Sequence, residues 1–416
     1  MGQSPRNLYL TMRWMLTVAM TAMALAALLW SSDQQAADHA ITAPVPDPTT
    51  NRGLETDRQL EVLGRLLFFD PNLSRNRTQS CATCHDPDAG FADARGEGAL
   101  RAVSLGDDGT SLGDRNAPTA AYARFSPVFQ RTPAGKYVGG QFLDGREPDL
   151  AGQAGGPPLN PIEMGMPDKA SVVVRLRENP GYVTAFEQHF GADIWTDTDA
   201  AYAAMTRAIA AFEQTDFFAP FDSKYDRYLR GEYRMTATEE LGMTLFFSAQ
   251  FTNCHLCHQL NQLPASAGET FSNYEFHNIG VPANRTVRRH NGHPAGQQDL
   301  GLAANPAVTD SPELQAGRFK TPTLRNVAVT SPYMHNGVFD DLRTVVLFYN
   351  KYNSRAPRRQ VNPETNVPWA APEFPANRSL EELETGPALD DRRVDALVAF
   401  LKTLTDRRYE HLIEDR

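Results

Sequence analysis

The four cysteines of this 416-residue chain all fall in two copies of one pattern, Cys81-Ala82-Thr83-Cys84-His85 and Cys254-His255-Leu256-Cys257-His258. Two thiols at this spacing with a histidine directly after them form the attachment pattern of c-type haem. The thiols add across the two vinyl groups, and the histidine is held within reach of the iron. A zinc site or a redox dithiol would also use Cys-x-x-Cys, but neither requires the histidine that follows each pair. The pattern therefore predicts two covalent haems, one on Cys81 and Cys84, the other on Cys254 and Cys257. His85 and His258 are the first axial ligands. No cysteine remains for a disulfide. His255, inside the second loop, is expected at the surface or against a haem propionate.

The elements that must hold these motifs repeat as well. Leu63-Gly64-Arg65-Leu66-Leu67-Phe68-Phe69 precedes the first motif, and Leu241-Gly242-Met243-Thr244-Leu245-Phe246-Phe247 precedes the second. A shared pattern upstream of a shared motif predicts duplication of one haem domain. Residues 56–69 place Leu60, Leu63 and Leu67 on one side of a helix. The matching helix starts near Thr238-Glu239-Glu240, with Thr236 or Thr238 as its cap. Residues 392–405 form a third amphipathic helix, and residues 198–230 read as helical. Residues 92–115 and the proline-rich 354–390 read as loops. The fold class is mostly α, two cytochrome c-like haem domains related by internal duplication, at 56–235 and 236–416.

The N-terminus has a different character. Arg6 and Arg13 precede an apolar run from Trp14 to Trp30, and the polar stretch 31–38 follows. Residues 1–38 read as an export signal, or as an N-terminal anchor if the run stays uncleaved and tethers the chain to the membrane. Residues 39–55 read as a linker. The folded part is then expected in the periplasm. A net charge of −10 argues against nucleic acid as a partner.

With these motifs in place the chain resembles the bacterial di-haem cytochrome c peroxidase superfamily, and within it the MauG-like branch. The resemblance runs over residues 55–405. It is carried by Leu66-Leu67-Phe68-Phe69-Asp70, the two haem motifs, Arg115-Asn116-Ala117-Pro118-Thr119, Asp144-Gly145-Arg146 and Asn160-Pro161-Ile162-Glu163-Met164-Gly165. Phe319-Lys320-Thr321-Pro322-Thr323-Leu324-Arg325-Asn326-Val327 and Pro332-Tyr333-Met334-His335-Asn336-Gly337 complete it.

The resemblance implies hydrogen peroxide as oxidant at the first haem. Many relatives close that iron with a second histidine from the first domain, but this chain has none between His85 and His189. An open distal face is expected. By the same resemblance Glu163 is its acid/base group, and Gln153 and Pro157 line its pocket. At the second haem Tyr349 stands where conventional peroxidases carry a ligating methionine, with Met334 as the rival ligand. A tyrosine oxygen is a hard donor that favours the ferric and higher states. Tyr349 ligation implies oxidation of Trp or Tyr residues of a partner protein through a high-valent di-haem state. That partner is a methylamine dehydrogenase precursor or a metal-binding protein in known relatives.

The resemblance further implies one Ca²⁺ on Asn116 and the carbonyls of Thr330 and Pro332, and propionate contacts from Arg318, Lys320 and Arg325. The residue before Asp-Gly-Arg is Leu143, where the family usually places a tryptophan between the haems. Tyr137 and Phe142 are the nearby rings. Two alternatives stand beside this reading. A conventional peroxidase would draw electrons from a small cytochrome or cupredoxin. A non-enzymatic electron-transfer cytochrome would have both irons capped by protein ligands.

Overall fold

The computed structural model describes residues 48–294 and 296–414. The apolar run Trp14–Trp30 and residues 39–47 lie outside them. Among the described residues no helix is long and apolar enough to cross a membrane. Contacts divide the chain into Met1–Thr56 and Asp57–Arg416, and every predicted site residue lies in the second unit.

The fold is mostly helical. Among the described residues its sheets are three two-stranded antiparallel ladders. The first long helix, Pro48–Phe68, begins inside the segment predicted as a linker, so residues 48–55 are helical instead. Leu63, Leu67 and Phe68 turn inward from it and are at most 3 % exposed. Gly64 lies among them because nothing larger fits. A Cβ there would stand 1.8 Å from the Ala208 carbonyl oxygen and 3.0 Å from Phe212 Cβ, both on the helix Thr198–Glu213.

Gly242 repeats this arrangement. It lies in the helix Ala237–Phe247, against the helix Asp391–Lys402. A Cβ at Gly242 would stand 1.9 Å from the Ala396 carbonyl oxygen and 2.7 Å from Phe400 Cβ. Each Leu-Gly-x-x-Leu-Phe-Phe helix thus seats its glycine on an Ala-x-x-x-Phe stretch of a partner helix. Thr236, not Thr238, caps the second helix. Its hydroxyl accepts from the Glu239 N–H while the Glu239 carboxylate accepts from the Thr236 N–H.

Two apolar cores follow. One gathers residues from Leu63 to Ala219 and the other residues from Tyr225 to Leu404. Residues 198–230 are not helical throughout. The helix stops at Glu213, capped at Gln214, and Lys224–Leu229 resumes it. The segment 354–390 has more structure than its prolines predict. It holds the pair Val361–Asn362 with Val367–Pro368 and the short helix Leu380–Leu383. The ladder that bears on the site pairs Phe276 with Lys320 and His277 with Phe319.

Candidate functional site: two haem-attachment regions

Both Cys-x-x-Cys stretches are wound into single helical turns, Cys81–Cys84 and Cys254–Leu256. Winding folds each following histidine back on its turn: the His85 N–H donates to the Cys81 carbonyl and the His258 N–H to the Cys254 carbonyl, both at 2.9 Å. The His258 Nδ1 lies 3.0 Å from the Phe271 carbonyl oxygen, and the His85 Nδ1 lies 3.3 Å from that of Phe91. Each ring therefore donates through Nδ1 and keeps Nε2 free as an iron ligand. Burial lowers both pKa values, that of His258 to about 4, so both rings are neutral and able to ligate.

The second region is a cavity of about 340 Å³ whose lining includes Cys254, Cys257 and His258. Met334 and Tyr349 line the same cavity, so both rival ligands face it. Tyr349 comes from the helix Leu342–Asn353, and burial holds its phenol pKa well above the ordinary value. Met334 sits in a tight turn with φ 73°, a left-handed backbone unusual for a side chain of this type.

The cavity fits a large, mostly apolar, partly anionic group. Its wall is mostly apolar, yet it includes the half-buried lysine Lys320. The Lys320 ammonium donates to the Gly140 carbonyl and to Ser126 Oγ, and no carboxylate pairs with it among the described residues. Burial lowers its pKa to about 7, opposed by Asp144. A haem propionate would supply the missing negative charge. Arg318 lies just before the same strand. Its buried Nε has no partner among the described residues, and it lines an adjoining cavity of about 330 Å³. His277, Ser379 and Glu382 line both cavities.

Arg325 is a correction. Its side chain is fully buried, with Nη1 and Nη2 at 2.5 and 3.0 Å from the Asp226 carboxylate oxygens. Nε and Nη2 donate to the Glu269 carbonyl. Rings of Tyr122, Phe221, Tyr225 and Phe271 surround the guanidinium. Its donors are spent on protein groups, so Arg325 is a structural ion pair and not a propionate partner.

At the first region Gln153 ends a short helix, Leu150–Ala154, and Pro157 opens a 3₁₀ turn, Pro157–Leu159. The turn rests on the helix Thr198–Glu213, where the Tyr202 hydroxyl donates to the Gly155 carbonyl at 2.8 Å. Glu163 follows it. Its negative charge is near enough to Cys84 to help raise that thiol's pKa. Burial raises the Glu163 pKa, with Arg146 and Asn160 pulling it down.

Asn116 lines the large cavity with Thr330 and Pro332. Its Nδ2 donates to the Ala102 carbonyl at 3.1 Å, which leaves Oδ1 as the atom that could hold a cation. Leu143 lines the cavity too, and so does Phe142. The Phe142 ring also packs within 3.3 Å of where a Cβ on Gly156 would stand, and the Arg146 guanidinium lies 3.5 Å from its ring centre. Phe142 therefore touches Gly156, just before the Pro157 turn, and lines the wall of the second region. Tyr137 is instead stacked on Phe129 away from this cavity.

Sequence reasoning missed Glu213. Its buried carboxyl lies beside Cys81, burial raises its pKa to about 8, and Oε2 has no partner among the described residues. A glutamate late in a helix ordinarily reads as solvated, so no sequence signal marked it.

A family model described as di-haem cytochrome c peroxidase matches residues 58–234. The methylamine utilization protein MauG of Paracoccus denitrificans is 55% identical over 88% of this chain and 94% of its own length. The cytochrome c551 peroxidase of Pseudomonas aeruginosa is 33% identical over 74% of this chain and 76% of its own. The crystal structure of the diheme peroxidase BthA from Burkholderia thailandensis superposes with a TM-score of 0.73 at 34% identity, covering 88% of each chain. A cavity that fits haem at Cys254, Cys257 and His258, a second turn of the same pattern at Cys81–Cys84, and relatives of this identity and coverage lead to one conclusion: the chain belongs to the di-haem cytochrome c peroxidase family, oxidoreductases built on two c-type haems.

Proposed function

We propose that this protein is a periplasmic MauG-like oxidoreductase that uses hydrogen peroxide to oxidise Trp or Tyr residues of a partner protein. The observation that carries this reading is the placement of Tyr349 in the wall that also bears His258. The 55% identity to a MauG supports it. The two haems supply the redox chemistry when bound; the protein's part is ligation, orientation and proton movement. His85 and His258 would each hold an iron through Nε2, and Tyr349 would supply a further ligand to the second haem. Lys320 and Arg318 hold propionates. Glu163 takes the proton from one peroxide oxygen and returns it to the other, so that water can leave. Gln153 orients the peroxide, and Pro157 keeps the turn rigid and dry. Asn116 and the carbonyls of Thr330 and Pro332 would hold a Ca²⁺ that ties the halves together.

We further read the halves, 56–235 and 236–416, as a duplicated haem unit. The matched seats of Gly64 and Gly242 support that. The partner would be an exported protein, and an uncleaved N-terminus would tether the enzyme to the membrane. The test is electron paramagnetic resonance of the ferric enzyme. One high-spin haem and one low-spin haem with an oxygen ligand are expected.

A second reading has its own observation. Met334 lines the same cavity. A low-spin His/Met signal would make this a conventional cytochrome c peroxidase drawing on a small electron-donor protein.

A further inference from the structure

The helix that carries Tyr349 continues into a group of rings that leads away from the cavity. Phe348 is fully buried, and its ring centre lies 6.0 Å from that of Tyr349. From Phe348 the next centres are Trp369 at 5.5 Å and Tyr352 at 6.2 Å. Trp369 is only partly buried, so the group reaches the surface. Tryptophan and tyrosine are the side chains most easily oxidised by one electron after cysteine. An oxidising equivalent held beside Tyr349 therefore has a ring-to-ring way out that no partner protein needs to touch.

A lysine sits in the middle of it. Lys351 Nζ lies 3.7 Å from the ring centre of Phe348, 4.9 Å from Tyr352 and 5.6 Å from Trp369. No carboxylate pairs with it among the described residues, and Arg378 adds positive charge nearby. An ammonium attracts a neutral ring through the ring's quadrupole. Once the ring has lost an electron it is a cation, and the attraction becomes repulsion between like charges a few ångströms apart. The ammonium therefore makes each of these rings harder to oxidise.

We propose that Lys351 is an electrostatic barrier that keeps oxidising equivalents off the Phe348–Tyr352–Trp369 group and so prevents their loss at Trp369. Without the barrier, the leak is a two-electron oxidation of the indole. A ring C–H becomes C–OH with oxygen from water and two protons released, and the two electrons with two protons reduce one hydrogen peroxide to two waters. This inference rests on Tyr349 facing the second haem and on peroxide as oxidant, not on any partner protein. Lys351 acts through the rings and is a positioning residue.

The experiment treats the di-haem protein with hydrogen peroxide at pH 6. Peptide mass spectrometry then counts oxygen added to Trp369, with Trp195 as internal reference. Lys351→Met should raise oxidation of Trp369 by about five-fold or more over wild type while Trp195 is unchanged. Lys351→Arg keeps the charge and should stay at the wild-type level. The idea is overturned if Lys351→Met matches wild type, if Lys351→Arg rises as far as Lys351→Met, if both tryptophans rise together, or if wild type is already heavily oxidised at Trp369. The haem absorbance bands are followed in every sample. If they fail to respond to peroxide in any variant or in wild type, the oxidant reading has failed. If they respond without a rise at Trp369, the barrier has failed.

Discussion

Tyr349 and Met334 line one cavity, and the proposed function makes them rivals for one coordination position. Tyr349→Phe removes the oxygen and keeps the ring. It should abolish the low-spin signal of the second haem while both haems stay attached. Met334→Leu should leave that signal and cost under about 1.5 kcal/mol in packing. The reverse pattern would hand the site to methionine. Glu163 gives a second test at this scale. To move a proton between peroxide oxygens it must begin as a carboxylate. Its raised pKa means that acidification protonates it sooner than an ordinary glutamate. The rate of the peroxide reaction should fall as pH drops through that pKa, and the fall should begin above the ordinary glutamate range. Glu163→Gln should slow the reaction by about 10²–10⁴-fold and flatten the profile, read by stopped-flow absorbance. The expectation of haem attachment could be written residue by residue because covalent chemistry fixes the spacing of Cys81, Cys84 and His85. Arg325 was not. An arginine in a family motif reads the same whether it meets a propionate or, as here, a buried aspartate.

The elements are held by close approach more than by propensity. Gly64 and Gly242 each sit against a carbonyl oxygen of the partner helix. An alanine would gain about 1 kcal/mol of helix propensity. It would also drive a Cβ into backbone that no rotamer change can clear. Gly242→Ala should therefore lose about 2 kcal/mol or more overall, seen as a lower urea midpoint with an unchanged slope. An unchanged midpoint would mean that the helices can part freely. The buried pair Arg325–Asp226 ties the helix Lys224–Leu229 to the loop at Glu269. Arg325→Leu strands Asp226 and should cost about 3–5 kcal/mol, with the haem bands and potentials unchanged. A shifted haem spectrum at unchanged stability would restore Arg325 as a propionate contact. The repeat of Leu-Gly-x-x-Leu-Phe-Phe made both glycine helices legible. The start at Pro48 was not, because a proline reads as a break unless the first turn of a helix is already suspected.

At the scale of the whole molecule, the helical class followed from periodicity and two haem sites followed from the cysteines. How the halves meet did not. Asn116 lies far in sequence from Thr330 and Pro332, and only the folded chain lines one cavity with all three. Phe142, a ring the sequence could only nominate beside Leu143, touches Gly156 and lines this cavity for the same reason. A cation at Asn116 would draw on both halves, so its removal should be felt throughout. Calcium at about a hundred times its dissociation constant adds about 2.7 kcal/mol to the stability of a protein that binds it only when folded. A chelator should lower the melting temperature of the di-haem protein, and added Ca²⁺ should restore it. Mg²⁺ should restore little, because carbonyl and amide donors on a loose frame suit the larger ion. Asn116→Ala loses the bond to the Ala102 carbonyl as well, worth about 0.5–1.5 kcal/mol, so it should be less stable even in chelator. The deciding measurement is therefore the calcium response itself. Wild type should gain stability with Ca²⁺, and Asn116→Ala should gain none. A wild type indifferent to Ca²⁺, or a variant that responds in full, would remove calcium from the account of how the two halves are joined.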